Sequence, residues 1–370
     1  MTSTRHILVD ARPLVDPNAG GVGRVTRQVL ESLVQSANDV TWTFATTGAA
    51  KPVLPETFTG RVIHVHIPLP NKIWSVLCMF GLKSLDREVT RRTSETYKAV
   101  LLPNLGFVGR LTAPYALILH DLSFLIEPRW FTPKMRLWHR AVGASGQIRR
   151  ANRLFAVSET TACDAERLLK IPRDKIEVFH PGTKIREPGT LRLRSGQARN
   201  REPAPNSRYV LAFGESNPRK NASTAIAAVA DLREDPQFTD LHLIFIGGNS
   251  KLEIRNSEWT IRKNIVSDVE LAHLYQQAAA LLYPSWYEGF GLPLHEAAQF
   301  GTPCLASAHG ALPETVPEGT LLIPPTKPHL WASALRDVLT NPDLYRTSFD
   351  PTRQVTDTVG MRQWIQSLPQ

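Results

Sequence analysis

The chain has 370 residues and only three cysteines, Cys78, Cys163 and Cys304, which lie far apart and are odd in number. They form neither a metal-ligand spacing nor a disulfide framework, so a reduced cytoplasm is the expected compartment. Long hydrophobic runs are absent too. The longest candidate, Ile73 to Leu82, has ten residues, whereas a membrane span needs roughly 18. Met1 to Arg5 is polar and passes straight into an apolar stretch, so no signal peptide is expected. No Asp-x-Asp triplet occurs, and without it no catalytic metal is expected. No pyridoxal lysine motif is recognisable, no cofactor is expected, and no internal repeat is visible.

What is present is the composition of a globular protein, 42% hydrophobic and 21% charged, long enough for two ordinary domains. The net charge of +9 is unevenly placed. Residues 1–187 carry 26 basic and 16 acidic side chains, and residues 208–370 carry 13 and 17. A basic front half favours anionic partners such as membrane headgroups or lipid diphosphates. The basic residues do not form one dense run, so scattered solvated charge is an equally good reading, and no nucleic-acid partner is expected.

Both halves alternate short apolar runs with longer amphipathic stretches, the pattern of parallel α/β sheets. In front, strands are expected at His6 to Ala11, Val62 to Ile67, Ala99 to Pro103, Ala116 to His120 and Leu154 to Val157. Helices are expected at Gly23 to Val34, Leu137 to Arg150 and Glu159 to Leu169. Behind, strands are expected at Tyr209 to Gly214, Leu241 to Gly247, Ala278 to Tyr283, Cys304 to Ser307 and Thr320 to Ile323. The matching helices are Ala222 to Leu232, Asp268 to Gln277, Leu294 to Phe300 and Pro328 to Leu339. Gly182 to Ser207, rich in Arg, Pro, Gly and Ser, reads as a linker containing a low-complexity insertion at Leu191 to Arg201. The domains expected are therefore 1–182 and 208–346, with 183–207 between them. Two doubly wound parallel sheets, Rossmann-like, would face one another across a cleft at the carboxyl ends of their strands.

The most informative stretch runs from Tyr283 to Phe300, where Glu288 and Glu296 stand eight positions apart around a glycine turn. Pro293 suits the first turn of a helix ending at Gly301, which would put Glu296 in that first turn. Amide groups near Gly291 and Leu292, with the positive helix end, suit an anion such as a diphosphate. An acidic residue in a first turn is favourable by about 0.3 to 1 kcal/mol without any ligand, so Glu296 alone means little. Glu288 carries more weight, since it lies in an apolar, aromatic turn that offers a carboxylate no obvious structural partner.

This segment resembles the E-x7-E element of retaining GT-B glycosyltransferases, most closely family 4. The resemblance implies a two-domain fold whose last helix, within about 347–370, returns to the first domain. It implies that Glu288 contacts hydroxyls of the donor sugar and Glu296 holds the ribose of the nucleotide. Glu215-Ser-Asn-Pro-Arg219-Lys220-Asn221 follows an expected strand and precedes a helix, which places two cations where the helix dipole disfavours them. Something negative is needed there, and the family uses this Arg and Lys to neutralise the donor diphosphate. Two solvated side chains beside an Asn221 cap are the plainer alternative. Asn217 stands where family members often carry Glu.

Asp10-Ala-Arg12 and the glycines Gly20, Gly21 and Gly23 before Arg24 are similar to the family's glycine-rich loop beside the donor diphosphate; alone, the glycine spacing is a weak signal. His120, at the end of a strand, matches a His that contacts the donor sugar, while Asp121 would suit a cap on the next turn. Val157-Ser158-Glu159, His180-Pro-Gly182 and Leu312-Pro313-Glu314 read as scaffold. Trp286 and Tyr287 read as core packing rather than a stacking platform.

The expected reaction is transfer of a hexose from a nucleotide-sugar donor, GDP-mannose before UDP-hexoses, to a hydroxyl of a saccharide or lipid-linked acceptor with retention. Cell-envelope or exopolysaccharide assembly fits family habit. A nucleotide-sugar epimerase, a sugar phosphorylase and an inactive nucleotide-sugar binding protein are the rivals. Lys72 to Arg92, with Trp74, Met79 and Phe80 among basic residues, reads either as a plain surface helix or as an amphipathic face for peripheral contact with an anionic membrane.

Overall fold

The computed structural model describes residues 5–16, 20–37, 39–183, 208–247, 258–264, 266–354 and 356–369. The chain divides into two compact units. The first comprises Met1–Pro128, Thr132–Gly182 and Arg353–Gln370, and the second Arg129–Phe131 and Thr183–Thr352. The Leu191 to Arg201 insertion lies outside the described residues, as does the Gly182 to Ser207 linker apart from its first two residues.

The first unit is built on seven strands, β1 Arg5–Asp10, β2 Val40–Thr47, β3 Ile63–Ile67, β4 Ala99–Leu102, β5 Tyr115–Leu119, β6 Arg153–Ala156 and β7 Ile176–Val178. They pair in the order β3-β2-β1-β4-β5-β6-β7, every pair parallel. β4 and β5 are buried along their whole length, as expected of strands covered on both faces. Strand order reverses between β1 and β4, so the loops after these two strands diverge and leave space at their carboxyl ends. The terminal helix Val359–Ser367 packs in this unit, with the Trp364 ring 6.5 Å from Phe155 and Thr358 Oγ1 3.0 Å from Ser32 Oγ.

The second unit holds six strands, β8 Tyr209–Phe213, β9 His242–Ile246, β10 Thr260–Lys263, β11 Ala280–Tyr283, β12 Cys304–Ser307 and β13 Leu321–Ile323, ordered β10-β9-β8-β11-β12-β13 and all parallel. Alternation along β8 sends Val210 and Ala212 into one core layer and Tyr209 and Leu211 into the other. Here the order reverses between β8 and β11.

The sheets contain three strands the sequence reading missed, β2, β7 and β10. β2 reads Val-Thr-Trp-Thr-Phe-Ala-Thr-Thr, whose threonines disguise it as polar, yet Thr43, Thr46 and Thr47 are buried and their branched side chains fit a pleated sheet. The helix expected over Leu137 to Arg150 is two helices, Pro133–Ala141 and Ala144–Arg150, broken at Gly143 with φ +65°. A left-handed residue cannot continue an α-helix.

Candidate active site

The carboxyl ends of β8 and β11 carry most of the residues singled out from sequence. After β8 the chain turns through Gly214, and Asn217 caps a short 3-10 turn, Pro218–Lys220, by accepting from the Arg219 amide at 3.1 Å. Gly214 has φ +65°, and a Cβ there would fall 2.9 Å from Lys220 Cγ. Only glycine lets the lysine stem cross the backbone at this point. Arg219 and Lys220 thus stand just before the helix Ala222–Arg233, as the sequence implies. The Asn221 side chain makes no helix cap; it donates to the carbonyls of Pro284 and Pro325, 3.1 Å each, and pins this loop to the one after β11.

Those two loops bring Arg219, Lys220, Tyr283 and Glu288 together. Lys220 Nζ donates to Glu288 Oε1 at 2.6 Å and to the Tyr283 hydroxyl at 2.6 Å. Arg219 Nη1 lies 3.5 Å from Glu288 Oε2 and donates to the Tyr287 carbonyl at 3.1 Å, while the Trp286 amide donates to the Arg219 carbonyl at 2.8 Å. The Glu288 side chain is 8% exposed. Burial raises its pKa, but the charges of Lys220 and Arg219 and the Lys220 hydrogen bond outweigh burial and hold it below the usual carboxylate range. Glu288 therefore has a structural partner, contrary to the sequence reading, and the negative group beside the two cations in this structure is its carboxylate. Burial, and next the charge on Glu288, push the Tyr283 phenol well above its ordinary value. Tyr283 was overlooked because a tyrosine closing an apolar strand carries no motif of its own. From the far side the backbone at Gly310 abuts Glu288, with the Ala311 amide donating to the Glu288 carbonyl at 3.2 Å.

Glu296 lies in the helix Leu292–Ala298, whose N-cap is Gly291 at φ +94°. A Cβ on Gly291 would meet Leu312 Cδ2 at 2.7 Å. Because the left-handed glycine starts the helix at Leu292, Pro293 is its second residue and Glu296 its fifth. The expectation of a first-turn Glu296 is corrected accordingly. Gly291 and Leu292 sit at the head of this helix. Glu296 is 2% exposed, and its Oε2 accepts from the hydroxyl of the fully buried Tyr275 at 2.9 Å. Tyr275 belongs to the helix Asp268–Gln277 and lies between the rings of Phe213 and Phe300. Sequence reading gave it no role because its partner is 21 positions away.

The remaining candidates belong to the first unit. His120 follows β5 with Nε2 2.8 Å from the Pro103 carbonyl, the residue after β4. Burial lowers its pKa more than that carbonyl and Asp121 raise it, so the ring is neutral near pH 7 with Nε2–H donated and Nδ1 left as the acceptor. Asp121 caps the next turn by accepting from the Ser123 amide and hydroxyl at 2.9 and 2.6 Å. Gly21 and Gly23 are not in a loop: the helix runs Gly20–Ser36, so both lie in its first turn. Gly20, at φ +52°, supplies the turn into that helix. Asp10 and Arg12 form a two-pronged pair at 2.7 and 2.6 Å, and Arg12 Nη1 donates to the Phe107 carbonyl at 3.0 Å.

Among the described residues no group of three or more His, Cys, Asp or Glu side chains is arranged to hold a metal. The Lys220 and Arg219 pair is suited to a doubly charged anion, and the two buried carboxylates to vicinal hydroxyls.

Two family models match the chain, glycosyl transferases group 1 over residues 196–351 and glycosyltransferase family 4 over residues 19–187. The D-inositol 3-phosphate glycosyltransferase of Mycolicibacterium gilvum (strain PYR-GCK) is 26% identical over 377 aligned positions, covering 89% of this chain and 80% of that protein. The MMP alpha-(1->4)-mannosyltransferase of Mycolicibacterium hassiacum is 33% identical over 201 positions, 51% of this chain and 46% of that one. Among solved structures, Anabaena Alr3699/HepE in complex with UDP and glucose superposes with a TM-score of 0.65 at 17% identity, covering 99% of this chain and all of the other. With two parallel sheets of seven and six strands and these matches along its length, the chain belongs to the group 1, family 4 glycosyltransferases of GT-B fold.

Proposed function

We propose that this glycosyltransferase moves a hexose from a nucleotide-sugar donor to a hydroxyl of a saccharide or lipid-linked acceptor, with retention of anomeric configuration. The observation that supports it most is the cluster of half-buried Lys220 and Arg219 around buried Glu288 at the carboxyl ends of β8 and β11. Two cations within reach of one carboxylate are held ready for a second anion. In this reading the donor diphosphate takes up Lys220 and Arg219, and the Glu288 carboxylate turns to sugar hydroxyls. As the glycosidic bond breaks, negative charge grows on the diphosphate, and preorganised cations there stabilise the transition state more than the ground state. Glu296, oriented by Tyr275, accepts from the ribose hydroxyls. In this reading His120, with its neutral ring, serves the donor sugar, and Gly21 and Gly23 are further donor-binding residues, roles carried by the family resemblance alone.

Retention follows from attack on the face the leaving group departs, with the acceptor proton passing to a phosphate oxygen of the donor. Neither sheet supplies a carboxylate assigned as a nucleophile in this reading. GDP-mannose is the first donor to test, supported by the relative named a mannosyltransferase, and UDP-glucose the second, supported by the ligands of the HepE structure.

The experiment is transfer of labelled sugar from a panel of donors by purified protein, with and without saccharide and lipid-linked acceptors, and the product anomer read by NMR. Acceptor-dependent transfer with retention, abolished in Glu288→Ala, is expected. Isomerised donor without acceptor would assign an epimerase instead, and binding without turnover an inactive nucleotide-sugar binder.

A further inference from the structure

Among the described residues, eight of the fourteen large hydrophobic side chains that stand exposed are concentrated in two short segments of the first unit. The helix Asn71–Met79 buries Trp74 and Cys78 and turns Ile73, Val76, Met79 and, just past its end, Phe80 and Leu82 to solvent, each 47–68% exposed. The helix Pro133–Ala141 buries nothing, and Met135, Leu137 and Trp138 are exposed by 38–67%. The two segments meet around Phe107: its carbonyl accepts from the Trp74 indole at 2.7 Å, and its ring lies edge-on to Trp138 at 6.1 Å. Isolated exposed apolar residues are ordinary, but a concentration of this kind marks a surface with a partner.

The charges carried by the two segments themselves are of one sign. No Asp or Glu occurs between Glu56 and Asp86 or between Glu127 and Glu159. Lys72 is exposed on the first helix, and Lys134, Arg136 and Arg140 on the second. Apolar side chains set among cations on segments that carry no carboxylate of their own match the two layers of an anionic bilayer surface, acyl chains beneath and phosphate headgroups above. Nucleic acid would match the cations but leave the aliphatic side chains without a partner. Among the described residues no helix is long and apolar enough to cross a membrane.

We propose that Asn71–Met79, with the Phe80 to Leu82 turn, and Pro133–Ala141 form one docking face that lays the first unit on an anionic membrane. It deepens the proposed function, on which it rests for the idea that a lipid-linked acceptor is reached from the bilayer surface. The binding itself requires no turnover.

The test is flotation of the full chain with phosphatidylcholine vesicles, with or without about a quarter phosphatidylglycerol. The wild type is expected to float with the anionic vesicles only, and less as salt rises. Phe80→Ser/Leu137→Ser and Lys134→Glu/Arg136→Glu should each lose at least about tenfold in vesicle affinity, while donor transfer to a water-soluble saccharide is unchanged. Absence of flotation, equal flotation with neutral vesicles, or wild-type flotation by both variants would overturn the docking face. So would a dimer in sedimentation velocity that these substitutions dissolve, since the patch would then be covered by a second copy. Flotation by a protein that transfers no sugar would leave the docking face standing and count against the proposed function alone.

Discussion

Lys220 and Glu288, 68 positions apart in sequence, form a part-buried ion pair of 2.6 Å, and the Glu288 carboxylate supplies beside Lys220 the negative charge that the proposed function gives to an incoming diphosphate. Removing its charge while keeping its shape separates binding from turnover. In Glu288→Gln the two cations lose their internal anion, so nucleoside diphosphates should bind more tightly by calorimetry. Transfer should fall about 100-fold or more, the usual loss for a group aimed at the reacting centre. Weaker nucleotide binding together with normal turnover would contradict the assignment.

Tyr275 and Glu296 form a second buried pair at 2.9 Å. Tyr275→Phe leaves a carboxylate oxygen without its donor, which costs about 1 to 3 kcal/mol of stability. Nucleotide affinity should weaken about tenfold, with KM rising more than kcat falls. Equal losses in both parameters would place Tyr275 in the chemical step itself.

Gly291→Ala puts a side chain into a left-handed backbone and within 2.7 Å of Leu312. The two penalties together predict a loss of about 2 to 4 kcal/mol. Thermal or denaturant unfolding of the second unit reads it, and an unchanged midpoint would mean that the helix Leu292–Ala298 can begin elsewhere.

Much of this was legible in the residues. Mainly apolar runs identified ten strands, since parallel strands covered on both faces leave few polar positions. The pairing of Glu288 with Lys220 was not legible, because it depends on which loops the β8 to β11 reversal brings together. Periodicity also could not separate Pro133–Ala141 from Ala144–Arg150, as a single left-handed Gly143 breaks no hydrophobic pattern. The start of the helix carrying Glu296 was displaced for a similar reason: Pro293 is tolerated at either of the first two helical positions, and the backbone of Gly291 decided between them.

Acid should weaken the first unit in two windows. His120 has a lowered pKa, so the unfolded chain binds its proton first, and stability present above about 6.5 is lost as pH falls below that value. His64, His66 and His139 are lowered too, mainly by burial, and share this window. Burial raises Glu88, but the hydrogen bonds and charges of Arg91 and Lys83 take it from 4.5 down to about 2. Its contribution is complete above about 4.5 and disappears toward pH 2. Melting temperature followed against pH should show both declines, with His120→Gln reducing the upper and Glu88→Gln the lower. Unaltered profiles would count against these assignments.

The most direct test is calorimetric titration of GDP and UDP, in excess EDTA, into the wild type and the charge-balanced double variant Lys220→Met/Glu288→Gln. Protein cations that hold the diphosphate without a divalent ion predict binding in the chelator and a loss of about 30-fold or more in the variant. Binding that vanishes with EDTA, or that the double substitution leaves untouched, would contradict the account.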